Sequence, residues 1–215
     1  MIEVAFDIET VASPEAIERL PEVEPSKTLK DPEKILKDIE KKKAAQIEKM
    51  ALSPLYGRVL SVDLYDGKDH NTMIAKEPKD EEDMLKNFWE DMAGDHYMIS
   101  FNGKQFDLPF LQYISMKYGI ENPMGHKGLE FKRYSHGWHY DLRLMLSHGD
   151  VTAKGTLKDY YWDLFGVDRN GISGADIGKL YLAEDWDRIE KHIQDDTEMT
   201  YEIWMKMRSW YLENE

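Results

Sequence analysis

The chain has 215 residues, no cysteine and a formal net charge of −14. The lack of cysteine excludes disulfides and thiolate metal sites and agrees with a reducing, cytoplasmic location. It leaves oxygen and imidazole ligands, which suit magnesium, manganese or, less readily, zinc. A charge this negative excludes a binder that coats nucleic acid regardless of sequence, but not an enzyme that holds one strand end.

The first strand is expected to begin at Ile2, with no basic or hydrophobic leader before it. It runs Ile2-Glu3-Val4-Ala5-Phe6-Asp7-Ile8-Glu9-Thr10. Side chains alternate across a strand, so Asp7 and Glu9 share one face while Phe6 and Ile8 take the other. Two carboxylates held that close repel each other unless a cation sits between them. A divalent metal answers that need, and metals beside phosphates mean phosphoryl chemistry.

Pro14, Pro21, Pro25 and Pro32 break the following stretch into loop. Asp31 and Pro32 then open a helix expected over 33–51, with Ile35, Ile39, Ile47 and Met50 as a thin apolar face. Its Lys41-Lys42-Lys43 run reads either as a solvated surface or as a basic flap over bound nucleic acid. A strand is expected at 58–66, a turn at Asp66-Gly67, and a second strand near 70–75. Helices follow at 79–93 and 107–118, with a strand between them at 96–101. An irregular stretch covers 121–137, then a strand near 138–141 and a helix at 141–148. From Thr156 the chain is mostly helical, interrupted at 166–174, and the last helix covers about 186–211. No apolar run is long enough to cross a membrane. Strands early and helices late predict an α/β fold, a mixed sheet of about five strands flanked by helices. The whole of 1–215 is expected to form one domain, with a helical insertion at about 26–51.

Two more acidic positions stand out. Asp107 follows the turn Asn102-Gly103 and opens a helix, where it could serve as a cap. Gly103 would let the backbone approach a ligand, and Phe106 could stack on a base or pack in the core. In the last helix His192 and Asp196 are four apart and share a face. They form either a surface pair or a metal-binding acid with an imidazole that handles the attacking water. Asp195 lies round the helix and is the weaker candidate. Residues 126–143 gather Lys127, Lys132, Arg133 and Arg143 against Glu130 and Asp141, a local basic patch suited to phosphates. Trp138 and Tyr134 lie there as possible base platforms. His126, His136 and His139 match no common zinc spacing. Asp141 reads as a helix cap or scaffold residue.

Taken in order, Phe6-Asp7-Ile8-Glu9-Thr10, Asn102-Gly103-Lys104-Gln105-Phe106-Asp107 and His192 through Asp196 resemble the three motifs of the DEDD superfamily of 3′–5′ exonucleases. The closest likeness is to stand-alone proteins related to the proofreading domain of family B DNA polymerases. His139-Tyr140-Asp141-Leu142, Gly155-Thr156-Leu157-Lys158 and the run from Ala51 to Val59 extend it. The resemblance implies a ribonuclease H-like fold and a two-metal-ion hydrolysis using Mg²⁺ or Mn²⁺. Asp7, Glu9 and Asp196 would hold one ion, Asp7 and Asp107 a second, and His192 would take or direct the water's proton. Thr10, Asn102, Gly103, Phe106 and Leu108 would touch the substrate. The implied activity releases nucleoside 5′-monophosphates from single-stranded DNA 3′ ends, in the company of replication or repair proteins. RNA trimming is the second expectation, and a silent nucleic-acid-binding module or an endonuclease of the same fold are the alternatives. The family usually has tyrosine four residues before the last acid or histidine five before it; here His192 stands at the tyrosine spacing, either replacing it or leaving a weaker site.

Overall fold

The structure is a computed structural model that describes residues 2–94, 96–123, 137–169 and 171–211. A five-stranded mixed sheet lies at its centre. Strands β1 (Ile2–Ala12), β2 (Gly57–Tyr65), β3 (His70–Ile74), β4 (His96–Ser100) and β5 (His139–Asp141) are arranged in the order β3-β2-β1-β4-β5. β1 runs antiparallel to β2 and parallel to β4, so the strand bearing Asp7 and Glu9 is the middle of the sheet. The turn between β2 and β3 is where the sequence put it. Asp66 Oδ1 accepts from the amides of Lys68 and Asp69, and Gly67 takes a φ of 93° that other residues rarely adopt.

The alternation on β1 sorts two layers. Val4, Phe6 and Ile8 face helices α3 (Glu81–Asp91) and α4 (Asp107–Tyr118), burying Phe88, Trp89, Phe110 and Leu111. Ala5 faces the long helix α8 (Trp186–Tyr211), where Met199, Ile203 and Trp204 close the other layer. Asp7 and Glu9 share the face of Ala5 and so point toward α8. One residue of β2, Leu60, is left over where Glu9 pairs with Ser61 and Thr10 with Val59. This bulge sits directly beside the two acids, where bulges redirect side chains.

The proline-rich stretch after β1 is not all loop. Ser13 caps a short helix α1 (Pro14–Glu18) with Pro14 in its first turn, a position that needs no amide donor. Helix α2 (Pro32–Ala51) starts at Asp31 as the sequence indicates, and Asp31 accepts from the Glu33 amide at 2.9 Å. None of its residues is buried. Of the three consecutive lysines, Lys42 is a tether: it pairs with Asp38 at 2.9 Å and bonds Ser26 Oγ and the Glu24 carbonyl. Helices α5 (Leu142–Leu146), α6 (Leu157–Phe165) and α7 (Ile177–Leu182) complete the chain between β5 and α8. Thr156 and Asp159 cap α6 reciprocally. Among the described residues, no helix is long and apolar enough to cross a membrane.

Candidate active site

Three elements bring the predicted acids together. β1 supplies Asp7 and Glu9, the start of α4 supplies Asp107, and α8 supplies His192 and Asp196. Asp107 is buried, and its Oδ1 accepts from the Ile8 amide at 3.1 Å, between the two acids of β1. It does not cap its own helix; the cap position is Phe106, which makes no capping bond. His192 is buried, with Nε2 3.0 Å from Glu9 Oε1 and Nδ1 3.8 Å from Asp196 Oδ1. Ligand atoms of Glu9, His192 and Asp196 all lie within 4.8 Å of one another, a trio that includes neither Asp7 nor Asp107.

The electrostatics record the crowding. Burial, then the charges of Asp107, Glu9 and Asp196, push the Asp7 carboxyl well above its ordinary range. Burial lifts Asp107 to about 7 against the opposing bond from Ile8, with Asp141 and Glu9 adding to the rise. Burial lifts Asp196 to about 6; His192 opposes it and Glu9 reinforces it. Burial alone would lower His192, but its bond to Glu9 and the charges of Glu9 and Asp196 hold it above its usual value. Asp196 Oδ1 is buried without a hydrogen-bond partner. A donor set of carboxylate oxygens and one imidazole, mutually repelling and with one oxygen unsatisfied, fits a divalent cation of the magnesium or manganese kind.

The predicted substrate residues divide. Asn102 has a left-handed φ of 76°; its amide donates to Asp141 at 3.0 Å, and its Oδ1 accepts from Arg143 at 3.1 Å. Gly103 is required by a neighbour, since a Cβ there would fall 2.2 Å from Ser100 Oγ. Thr10 uses its hydroxyl to bond the Ala51 carbonyl at the end of α2, at 2.7 Å. Phe106 is half-buried, its ring 5.6 Å from Phe110, and Leu108 is a core residue. Asp141 is a scaffold residue: it caps α5 and also accepts from the amides of Asn102 and Lys104.

The proposed basic patch is only partly visible. Lys127, Lys132, Arg133, Glu130, Tyr134, His126 and His136 lie outside the described residues. Arg143 does not face outward to phosphates, because it bonds Asn102 and the Ala153 carbonyl. Trp138 packs beside Tyr97, and His139 is buried with Nε2 2.6 Å from Ser100 Oγ. Asp195 is engaged by Lys191 and Arg169. Two residues near the site have parts that the sequence did not assign. Lys158, on α6, lowers the pKa of both His192 and Asp196 by its charge. Asp63 stands opposite Asp7 on β2, a pairing between strands far apart in sequence.

Comparison with known proteins gives a consistent result. Residues 56–211 match a family described as a predicted 3′–5′ exonuclease related to the exonuclease domain of PolB. The match begins after the acids of β1, which the structure brings to the rest. A DNA polymerase of Methanocaldococcus jannaschii is 27% identical over 146 residues, 63% of this chain and 9% of its own length. A DNA polymerase of Pyrococcus glycovorans is 26% identical over 136 residues, 57% of this chain and 18% of its own. The structure of the family B DNA polymerase from Pyrobaculum calidifontis aligns with a TM-score of 0.64 and 15% identity, covering 96% of this chain and 24% of that one. The fold is therefore ribonuclease H-like, and the chain spans under a fifth of the curated polymerases it resembles.

Proposed function

This chain belongs to the family of predicted 3′–5′ exonucleases related to the exonuclease domain of PolB, and on that footing we propose that it hydrolyses the terminal phosphodiester of single-stranded DNA from the 3′ end. The observation that carries the reading is the gathering of Glu9, His192 and Asp196 within ligand distance, beside Asp7 and Asp107. Two divalent ions, Mg²⁺ or Mn²⁺, when bound would offset the phosphate charge and acidify a water. Asp7, Glu9 and Asp196 would hold one ion, and Asp7 with Asp107 the other. The imidazole of His192 takes the proton of the attacking water or fixes its direction. Water oxygen joins phosphorus, the bond to the preceding 3′ oxygen breaks, and a nucleoside 5′-monophosphate leaves. Asn102, with Oδ1 engaged by Arg143, offers its Nδ2 to the terminal nucleotide, beside the half-buried Phe106. The choice of DNA rests on relatives named DNA polymerases. Replication or repair proteins are the partners that choice suggests, and residues 1–215 would act as one domain.

A 5′-labelled linear single strand and a circular one, each incubated with Mg²⁺ or Mn²⁺, test this reading. The linear strand should shorten from its 3′ end while the circle stays intact. Cutting of the circle would make the protein an endonuclease, and binding without product under either metal would make it a silent module. Faster trimming of a linear RNA of the same sequence would reverse the substrate.

A further inference from the structure

The buried Oδ1 of Asp196 accepts no hydrogen bond, and its ion-pair neighbour, His192 at 3.8 Å, lies on the same helix, so its position follows that of the helix on which it rides. Besides His192, which meets Glu9 on β1, the polar side chains that tie this part of α8 to the sheet land on the β2–β3 hairpin. Thr197 Oγ1 donates to Asp63 Oδ2 at 2.5 Å, across 134 residues of sequence. Gln194 Nε2 donates to Thr72 Oγ1 at 2.8 Å, and Thr72 Oγ1 in turn donates to Asp63 Oδ1 at 2.6 Å. His70 lies 2.8 Å from Asp63 through Nδ1 and 3.3 Å from Glu198 through Nε2. The side chain of Asp63 is fully buried. A carboxylate in such a place is costly unless its oxygens are satisfied, and three donors converge on it here. It is also the cross-strand partner of Asp7.

We propose that Asp63 is the positioning residue of the ion site: from the strand beside Asp7 it grips Thr197 and thereby sets the register of Asp196 against Glu9 of the sheet. The role rests on the metal-dependent reading above. It is distinct from stabilising the fold, because Thr197, which Asp63 holds, is the residue next to Asp196. Groups that orient metal ligands typically change metal affinity or activity about 10- to 100-fold when removed.

Thr197→Val deletes the hydroxyl with little change of shape, Thr197→Ser keeps it, and Thr72→Val removes both the hairpin's bond to Asp63 and the bond from Gln194 of α8. Mn²⁺ binding to the full chain is titrated without substrate, and kcat and KM are measured separately on a 5′-labelled single strand. Thr197→Val and Thr72→Val should raise the half-saturating Mn²⁺ concentration about tenfold and lower kcat with KM unchanged. Thr197→Ser should bind Mn²⁺ as the unaltered protein does. If Thr197→Val does not fold, Thr72→Val carries the test. A folded valine variant that binds Mn²⁺ normally, or a serine variant as weak as valine, overturns the proposal. Should the unaltered protein bind Mn²⁺ but cut nothing, the nuclease reading fails and the positioning role stands. No Mn²⁺ uptake at all overturns both.

Discussion

Asp7, Asp107 and Asp196 all hold protons more tightly folded than they would unfolded, Asp107 to about 7 and Asp196 to about 6. Between their unfolded value near 4 and these folded values, the native state binds more protons, so unfolding free energy falls as pH rises through that window. For Asp107 and Asp196 the stability conferred is complete below about pH 4 and lost as pH rises through about 6 to 7. Thermal melts of the metal-free protein should show this decline. Added Mn²⁺ should raise the Tm, and by more at pH 8 than at pH 5, because the ion replaces protons. Asp196→Asn should flatten the pH dependence, remove much of the Mn²⁺ effect, and cost at least about 10²-fold in turnover. Equal Mn²⁺ shifts at both pH values would contradict the cradle. Much of this cradle was legible in the sequence: two acids at strand spacing and a His–Asp pair at helical spacing are local patterns. Lys158 and Asp63 were not, because their parts depend on which strand and helix lie opposite, which spacing along one element does not reveal.

The helices differ in what anchors them. Helix α2 contributes no buried residue, whereas α8 buries Trp204 completely and stacks it on Tyr140 with ring centroids 4.4 Å apart. A proline in the middle of a helix costs roughly 3 kcal/mol locally. Ala44→Pro should therefore open α2 yet leave the cooperative melt of the rest nearly unchanged, because little of the core depends on that helix. Trp204→Ala should cost about 3–5 kcal/mol through a large cavity. Amide exchange would check both, with α2 protons exchanging early and α8 protons only on global unfolding. Periodicity predicted these helices within a residue or two at most ends, and Asp31-Pro32 marked the start of α2. It missed α1, since Pro14 was taken to break structure when Ser13 caps a helix that Pro14 opens. Asp107 invited a capping role by position, and only a contact 99 residues away along the chain reveals its bond to Ile8.

The net charge of −14 repels a nucleic-acid strand at long range, so attraction must come from a few contacts near the ions. Each phosphate held by a single strand's partner contributes roughly −0.7 to the slope of log affinity against log salt. A slope no steeper than about −2, some three phosphates' worth, is expected for an inactive variant binding a DNA oligonucleotide. A much steeper slope would mean a broad basic surface. The sheet order carries a consequence for synthesis. Its middle strand is made early, while Asp107 lies 99 residues from the amide it receives and Arg208 of α8 reaches back 205 residues to Glu3. Contacts so distant along the chain form late and slowly. A polypeptide abandoned on the ribosome before α8 emerges has the first two acids but lacks the imidazole and the last carboxylate, so an unfinished copy carries only part of the candidate ion site.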